Sequence, residues 1–287
     1  MSLMIFGRTG QVATCLSRLA PTATFLDRQR VDLSDPEACA AAILENPPSA
    51  VINAAAWTAV DRAETEEAAA LAVNGAAPGA MARACARLSI PLVQISTDYV
   101  FDGTGTAPFA PDTPPAPLGA YGRTKLAGEE AVRASGCVHG ILRTSWVFSA
   151  HGAYFVKTML RLGETRDALS IVDDQIGGPT PAADIARTCL VMAEQLTRNP
   201  GLSGTYHFSG SPDVSWKDFA ETIFERAGLQ VAVTGIPTSD YPTPAARPLN
   251  SRLDCSSLKS AFGIDRPDWR AGLEEMLAGS VNAPHTA

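Results

Sequence analysis

A chain of 287 residues, 46% hydrophobic and 18% charged, can bury a sizeable core as one large domain or two modest ones. The formal net charge of −7 argues against nucleic acid or an anionic membrane surface as the main partner, since both select basic patches, but leaves room for a small anion held by an arginine or a helix N-terminus. No apolar run approaches the ~20 residues of a bilayer span, and six scattered cysteines (15, 39, 85, 137, 189 and 255), with no Cys-x-x-Cys and no clustered histidines, fit buried thiols in a reducing cytoplasm better than disulfides or a zinc site.

Residues 1–6 lack a basic n-region and run into a glycine turn, so residues 3–6 are predicted to be a first strand and not part of a signal peptide. Residues 11–19 read as a helix and 23–26 as a second strand. Ser34-Asp35-Pro36-Glu37 has the form of a capping box with Ser34 as the cap, opening a helix to about residue 44. A third strand covers 50–53. Residues 61–88 are helical in pattern, with an interruption expected near Gly75 and Pro78. A fourth strand (91–96), a helix (121–134) and a further strand (138–143) follow. Alternating strands and helices imply an α/β, doubly wound parallel sheet of Rossmann type. Residues 101–118, rich in Gly, Pro and Thr, form a loop long enough to expect a function of it.

Beyond residue 143 the rhythm loosens. Helices are predicted over 152–163 and 180–196, a strand over 205–208 and a helix over 215–227. Pro237, Pro242, Pro244 and Pro248 make 234–250 mostly irregular. Helices over 256–262 and 269–277 close the chain, with disorder expected over 281–287. The expected division is a dinucleotide-binding domain over 1–148, to which a helix at 180–197 returns, and a smaller, discontinuous substrate domain over 149–179 and 198–280.

The first strand ends in Gly7-Arg8-Thr9-Gly10-Gln11-Val12-Ala13. Glycine in such a turn lets backbone approach a pyrophosphate, and the following helix start offers N–H donors and a positive dipole end. Gly7, Thr9, Gly10, Gln11 and Val12 are therefore the candidate cradle. The spacing Gly-x-x-Gly-x-x-Ala departs from Gly-x-Gly-x-x-Gly, with Ala13 able to serve close helix–strand packing. Asp27 ends the second strand, where an acid commonly holds the adenosine ribose. Arg28 and Arg30 follow at once and could pair with a 2′-phosphate, so NADH and NADPH both stay open. Asp32 and Leu33 suit the adenine. The small residues of Asn53-Ala54-Ala55-Ala56-Trp57-Thr58, chiefly Ala54, Ala56 and Thr58, would admit the nicotinamide half.

Ser96-Thr97-Asp98-Tyr99 lies at the carboxyl end of the fourth strand, the edge where open α/β sheets bind ligands. Tyr121 and Lys125, in Tyr121-Gly122-Arg123-Thr124-Lys125, share one helix face a turn apart. With five tyrosines and four lysines in the chain this spacing is unlikely by chance. An ammonium there would pull the phenol below its usual pKa of about 10, toward proton exchange with a substrate oxygen near neutrality.

Taken together, Gly-x-x-Gly, Ser-Thr and Tyr-x-x-x-Lys resemble the extended short-chain dehydrogenase/reductase family. Thr58-Ala59-Val60-Asp61, Ser96 to Gly103, Tyr121 to Glu129, Arg143-Thr144-Ser145-Trp146-Val147-Phe148, Asp174-Gln175, Gly178-Pro179-Thr180 and Arg247 to Asp254 narrow the resemblance to its dTDP-4-dehydrorhamnose reductases, over nearly the whole chain. The resemblance implies reduction of the C4 ketone of a dTDP-linked deoxysugar by NADPH or NADH. It implies Tyr121 as the general acid, Lys125 as the group that lowers its pKa and bonds the nicotinamide ribose, and Thr97 as the donor that polarises the ketone. Asp98 and Trp146 would lie against the sugar, an indole face suiting an apolar C–H face.

Some members of the family dimerise around a magnesium ion held by acids after the Pro-Thr motif. Here Pro181-Ala182-Ala183-Asp184 places alanines there, so no structural metal is expected, and the chain is taken as a monomer or homodimer. His151 and His207 read as isolated surface or core residues. Two other readings stand beside the reductase: a non-catalytic dinucleotide-binding regulatory subunit, like that of methionine adenosyltransferase, and a sugar-nucleotide epimerase or dehydratase. The expected partner is a small nucleotide sugar, in the cytoplasm, with neither nucleic acid nor membrane.

Overall fold

The structure is a computed structural model and describes residues 1–152 and 154–281. Its first half alternates β1 (Leu3–Phe6), α1 (Gln11–Leu19), β2 (Thr24–Leu26), α2 (Pro36–Glu45), β3 (Ala50–Asn53), α3 (Val60–Ala63), α4 (Glu67–Leu71), α5 (Ala77–Leu88), β4 (Leu92–Thr97), α6 (Ala120–Ala134) and β5 (His139–Thr144). The second half adds β6 (Val147–Phe148), α7 (Phe155–Gly163), β7 (Ala168–Val172), β8 (Ile176–Gly177), β9 (Thr180–Pro181), α8 (Ala182–Arg198), β10 (Gly204–His207), β11 (Val214–Ser215), α9 (Trp216–Ala227), β12 (Ala232–Ile236), β13 (Asn250–Ser251), α10 (Ser256–Phe262) and α11 (Trp269–Val281).

Six strands form one parallel sheet in the order β10-β5-β4-β3-β1-β2. Its strands are near-continuous apolar runs because both faces are covered. Successive side chains serve opposite layers. Ile5, Ile52, Val93 and Leu142 pack with Leu16, Ile185 and Met192 of α1 and α8. Met4, Phe6, Val51 and Leu92 pack with Ile43 and Met81 of α2 and α5. This is the expected doubly wound fold, and the chain reverses direction across the sheet between β1 and β3, where ligand crevices open.

Three expectations need correction. The cap of α2 is Asp35, which accepts from Ala38 N at 3.0 Å, and not Ser34; Pro36 belongs at the first helical position, which sets the cap one residue before it. The helix does not break near 75–78. It passes through a π turn, Ala72–Ala76, in which Ala77 N reaches back to Ala72 O, and the wider turn takes in Pro78, which has no N–H to give. The break comes earlier, between α3 and α4. Finally, residues 198–280 do not all pack with the substrate region: β10 is the edge strand of the large sheet, and Leu258 and Phe262 of α10 join the core under α1 and α8.

Helix α8 packs with α1 against the large sheet. A separate core gathers Phe148, Val156, Met159, Phe219, Phe224, Trp269 and Leu273. Around it lie small sheets, β11-β8-β13, β12-β7 and β6-β9. The stretch 234–250 begins as the end of β12, makes a short 3-10 turn over Thr238–Asp240, and is then irregular until Asn250 enters β13. The disorder expected for 281–287 falls, apart from Val281, outside the described residues. No described helix is long and apolar enough to cross a membrane.

Candidate active site

A cleft of about 670 Å³ opens at the carboxyl ends of β1 to β5. It is lined by seventeen of the residues singled out from the sequence: Gly7, Thr9, Gly10, Gln11 and Val12; Asp27, Arg28, Asp32 and Leu33; Ala54, Ala56 and Thr58; Thr97, Asp98, Tyr121, Lys125 and Trp146.

At one end, Gly7 has φ +102°, and a Cβ there would lie 3.3 Å from Ala54. Gly10 precedes α1 in extended conformation with no side-chain cap, leaving the first-turn N–H groups facing an open cradle. The Gln11 amide is engaged elsewhere: it donates to Val147 O at 3.1 Å and accepts from Ser149 Oγ at 2.9 Å, tying α1 to β6. Asp27 Oδ1 accepts from Gln29 N and Arg30 N, closing the turn after β2. Arg28 bonds Asp32 at 3.0 Å in an exposed pair. Arg30 turns away to the Phe25 carbonyl and does not line the cleft, whereas Arg28 and, in the glycine turn, Arg8 do.

At the other end the Asn74 side chain, carried by the π turn, receives Trp57 N and donates to Trp57 O and Thr124 Oγ1. It thereby fixes the loop after β3 against α6. Gly128 permits this approach, since a Cβ there would lie 2.1 Å from Asn74 O.

Tyr121 is half-buried, with its ring edge-on to Tyr99 at 5.4 Å. Burial pushes its phenol up to about 12, the nearby Thr97 hydroxyl pulls the other way, and Asp98 adds to the rise. The expectation that Lys125 acidifies this phenol is not met. Lys125 Nζ donates to Ile95 O at 2.7 Å, and burial lowers its own pKa to about 8 against the pull of Glu129. Desolvation outweighs the pull of Glu129 at Lys125 and that of the Thr97 hydroxyl at Tyr121.

Asp98 is buried and held at about 6, desolvation outweighing the opposing pull of the nearby Ser251 and Thr97 hydroxyls and the local backbone. Its Oδ1 accepts from Thr97 Oγ1 at 3.1 Å. Among the described residues its Oδ2 has no partner, and neither has Thr144 Oγ1, also buried and also lining the cleft. Buried polar atoms without partners are costly, so two in one cleft fit a ligand that supplies the missing bonds.

Trp146 sits at φ +48° and stacks on Trp216 at 3.7 Å and 12°. Trp216 Nε1 donates to Gln175 Oε1 at 3.1 Å. Trp216, Tyr154 and Thr144 line the cleft and were missed from sequence. The only trace of Trp216 is the capping box Ser215 to Asp218, which marks a helix start but not what that start faces.

His207 is a satisfied core residue, with Nδ1 3.0 Å from Phe109 O; burial, then Arg143, pushes it down to about 3. Asp184 pairs with Arg187 at 2.7 Å, and among the described residues no group of three or more His, Cys, Asp or Glu is placed to hold a metal.

The chain matches the family described as RmlD substrate binding domain over residues 1–281. It is 41% identical over 286 residues to a dTDP-4-dehydrorhamnose reductase of Sinorhizobium fredii, covering 96% of this chain and 97% of that one. It is 40% identical over 291 residues to that of Escherichia coli K12, with coverage of 96% and 97%. Among solved structures, the dTDP-4-dehydrorhamnose reductase of Clostridium acetobutylicum superposes with a TM-score of 0.90 at 35% identity, over 98% of this chain and all (100%) of that one. The Bacillus anthracis reductase, solved in complex with NADP, gives 0.89 at 35% identity, over 97% and 99%.

Proposed function

We propose, from the premise that this chain belongs to the RmlD substrate binding domain family, that it is an NAD(P)H-dependent oxidoreductase. Its reaction is reduction of the C4 ketone of dTDP-4-dehydro-β-L-rhamnose to dTDP-β-L-rhamnose. The observation that carries this reading is the meeting of Thr97, Tyr121 and Lys125 in the same cleft as the glycine turn before α1.

Gly7, Gly10 and the first turn of α1 would hold the coenzyme's pyrophosphate. Asp27 would take the adenosine ribose, Asp32 and Leu33 the adenine, and Ala54, Ala56 and Thr58 the nicotinamide half. The bound coenzyme supplies a hydride to C4. Tyr121 gives its proton to the C4 oxygen; a phenol at about 12 is fully loaded at neutral pH and still far more acidic than an alkoxide's conjugate acid. Thr97 Oγ1 holds the same oxygen. Asp98 Oδ2 accepts from a sugar hydroxyl, and Trp146 packs on the sugar's apolar face. Lys125 serves as a fixed charge and ribose donor and not as the acidifier of the phenol.

We divide the chain into a dinucleotide lobe, residues 1–148 with α8, β10 and α10, and a substrate lobe from the remainder of 149–280. We place it in the cytoplasm as a monomer or homodimer. The test is to mix the protein with the ketosugar and reduced coenzyme. One coenzyme oxidised per sugar reduced supports the reading. Binding without oxidation favours a regulatory role, and conversion without net oxidation favours an epimerase or dehydratase.

A further inference from the structure

We propose that the buried Glu129–Arg143 ion pair is a positioning device for this reaction, holding the threonine of β4 and the tyrosine–lysine face of α6 in one frame. The inference rests on the reductase reading and assigns work to two residues that do not line the cleft.

Tyr121, Lys125 and Glu129 recur every fourth residue along α6, so they share one face. Glu129 is fully buried and Arg143 is 2% exposed. Glu129 Oε1 accepts from Ser96 Oγ at 2.6 Å and Arg143 Nε at 2.9 Å, and Oε2 from Arg143 Nη2 at 2.7 Å and Arg133 Nη1 at 3.2 Å. Ser96 directly precedes Thr97, and Arg143 directly precedes Thr144. In the sheet Ser96 is level with Arg143, and Thr97 with Thr144. One carboxylate on the helix thus pins two neighbouring strand ends at the level where both strands enter the cleft.

The guanidinium extends the frame. Arg143 Nη1 donates to Pro111 O at 3.1 Å and lies 3.3 Å from His207 Nε2 on β10. Its plane covers Phe101 at 5.0 Å, and Phe101 stacks on Phe109 at 4.4 Å. The loop 101–118 between β4 and α6 is therefore anchored to the same charge pair.

Net stability is a weak reason for such a pair. Replacing two buried charges by apolar side chains of similar volume is often neutral or stabilising, whereas removing one partner alone is strongly destabilising. A bidentate fork does fix direction as well as distance, and displacement of a proton donor by about 1 Å can cost on the order of 100-fold in rate.

The test compares the native protein with Glu129→Leu/Arg143→Met, which removes both charges together, and with Arg143→Lys, which keeps the charges but not the fork. The expected result for the double variant is a melting temperature at or above native. Its coenzyme Kd and sugar KM should stay within about threefold, kcat should fall on the order of 100-fold, and the solvent deuterium isotope effect on kcat should rise as proton delivery becomes limiting. Arg143→Lys should lose less kcat in the same direction with KM unchanged. Native-like kcat in either variant overturns the positioning role, as does a parallel collapse of coenzyme binding and kcat. If the native protein itself oxidises no coenzyme with the ketosugar, the reductase reading falls and the positioning role with it, an outcome distinct from variants that match an active native enzyme.

Discussion

Lys125 Nζ is bonded to the Ile95 carbonyl at 2.7 Å, so the ammonium of the Tyr-x-x-x-Lys pair is anchored to the sheet and not to the phenol. Burial holds its pKa at about 8. It is charged below that pH and neutral above it. The rate of sugar reduction should therefore fall as pH rises through about 8, while Tyr121, at about 12, stays protonated throughout. A profile of kcat/KM against pH reads the free enzyme's groups. Lys125→Met should remove this falling limb along with most activity; a limb that survives assigns it elsewhere.

Tyr121→Phe keeps the ring against Tyr99 and removes only the proton donor. Turnover should drop by about 10² to 10⁴-fold, the usual contribution of general acid catalysis, with coenzyme affinity within a few-fold by fluorescence titration. A rate near native would dismiss the phenol as the acid.

The two glycines of the first turn should behave differently. At Gly7 a side chain meets Ala54 at 3.3 Å and must adopt φ +102°, so Gly7→Ala should lower both stability and coenzyme affinity. At Gly10 an added Cβ would meet, among the described residues and within 4 Å, just Ala54 O at 4.0 Å. Gly10→Leu should leave the melting temperature close to native and raise the coenzyme Kd. Equal affinity would remove the pyrophosphate from this turn.

Trp216 should matter to the sugar side alone. Trp216→Leu removes the partner stacked at 3.7 Å behind Trp146, so KM for the nucleotide sugar should rise several-fold with coenzyme Kd unchanged. A rise in coenzyme Kd instead would move this tryptophan to the nicotinamide.

His207 predicts an acid sensitivity. Folded, its imidazole stays neutral down to about 3; unfolded, it takes a proton near 6.5. Between those values the unfolded chain binds the extra proton, so stability rises with pH across the window and is lost as pH falls below 6.5, by up to about 1.4 kcal/mol per unit. Asp98, raised from 3.8 to about 6, works in the opposite sense between those values and offsets part of this. His207→Gln keeps an acceptor for Arg143 and should lose less stability than native between pH 7 and pH 5 in urea unfolding. An equal loss would place the acid sensitivity on other groups.

Most of the cleft was legible because its parts are local. A glycine turn after a strand, an acid at the next strand end and a tyrosine and lysine one turn apart are each written within a few residues, and the sheet brings them together. What was missed is non-local. Trp216, Thr144 and the two-residue strands β6, β8, β9, β11 and β13 acquire their roles only through partners far along the chain. The cap at Asp35 was misplaced by one residue because Ser34 and Asp35 are both good caps and Pro36 decides between them. The Tyr121–Lys125 pairing was over-read because helical spacing brings two side chains near one another without saying which hydrogen-bond partner each prefers or how dry the site is.

Because β10 completes the large sheet and α10 covers its underside, this enzyme cannot be divided into two exchangeable modules at the obvious point near residue 148. A fragment ending there would bare the backbone of residues 139–144, an open edge that invites association with another chain, and would strip α8, with Leu258 and Phe262 of α10, from the core it shares with α1. New substrate lobes are therefore to be sought as insertions between β5 and α8 or around β11 to β13, where loops can be exchanged while the sheet stays whole.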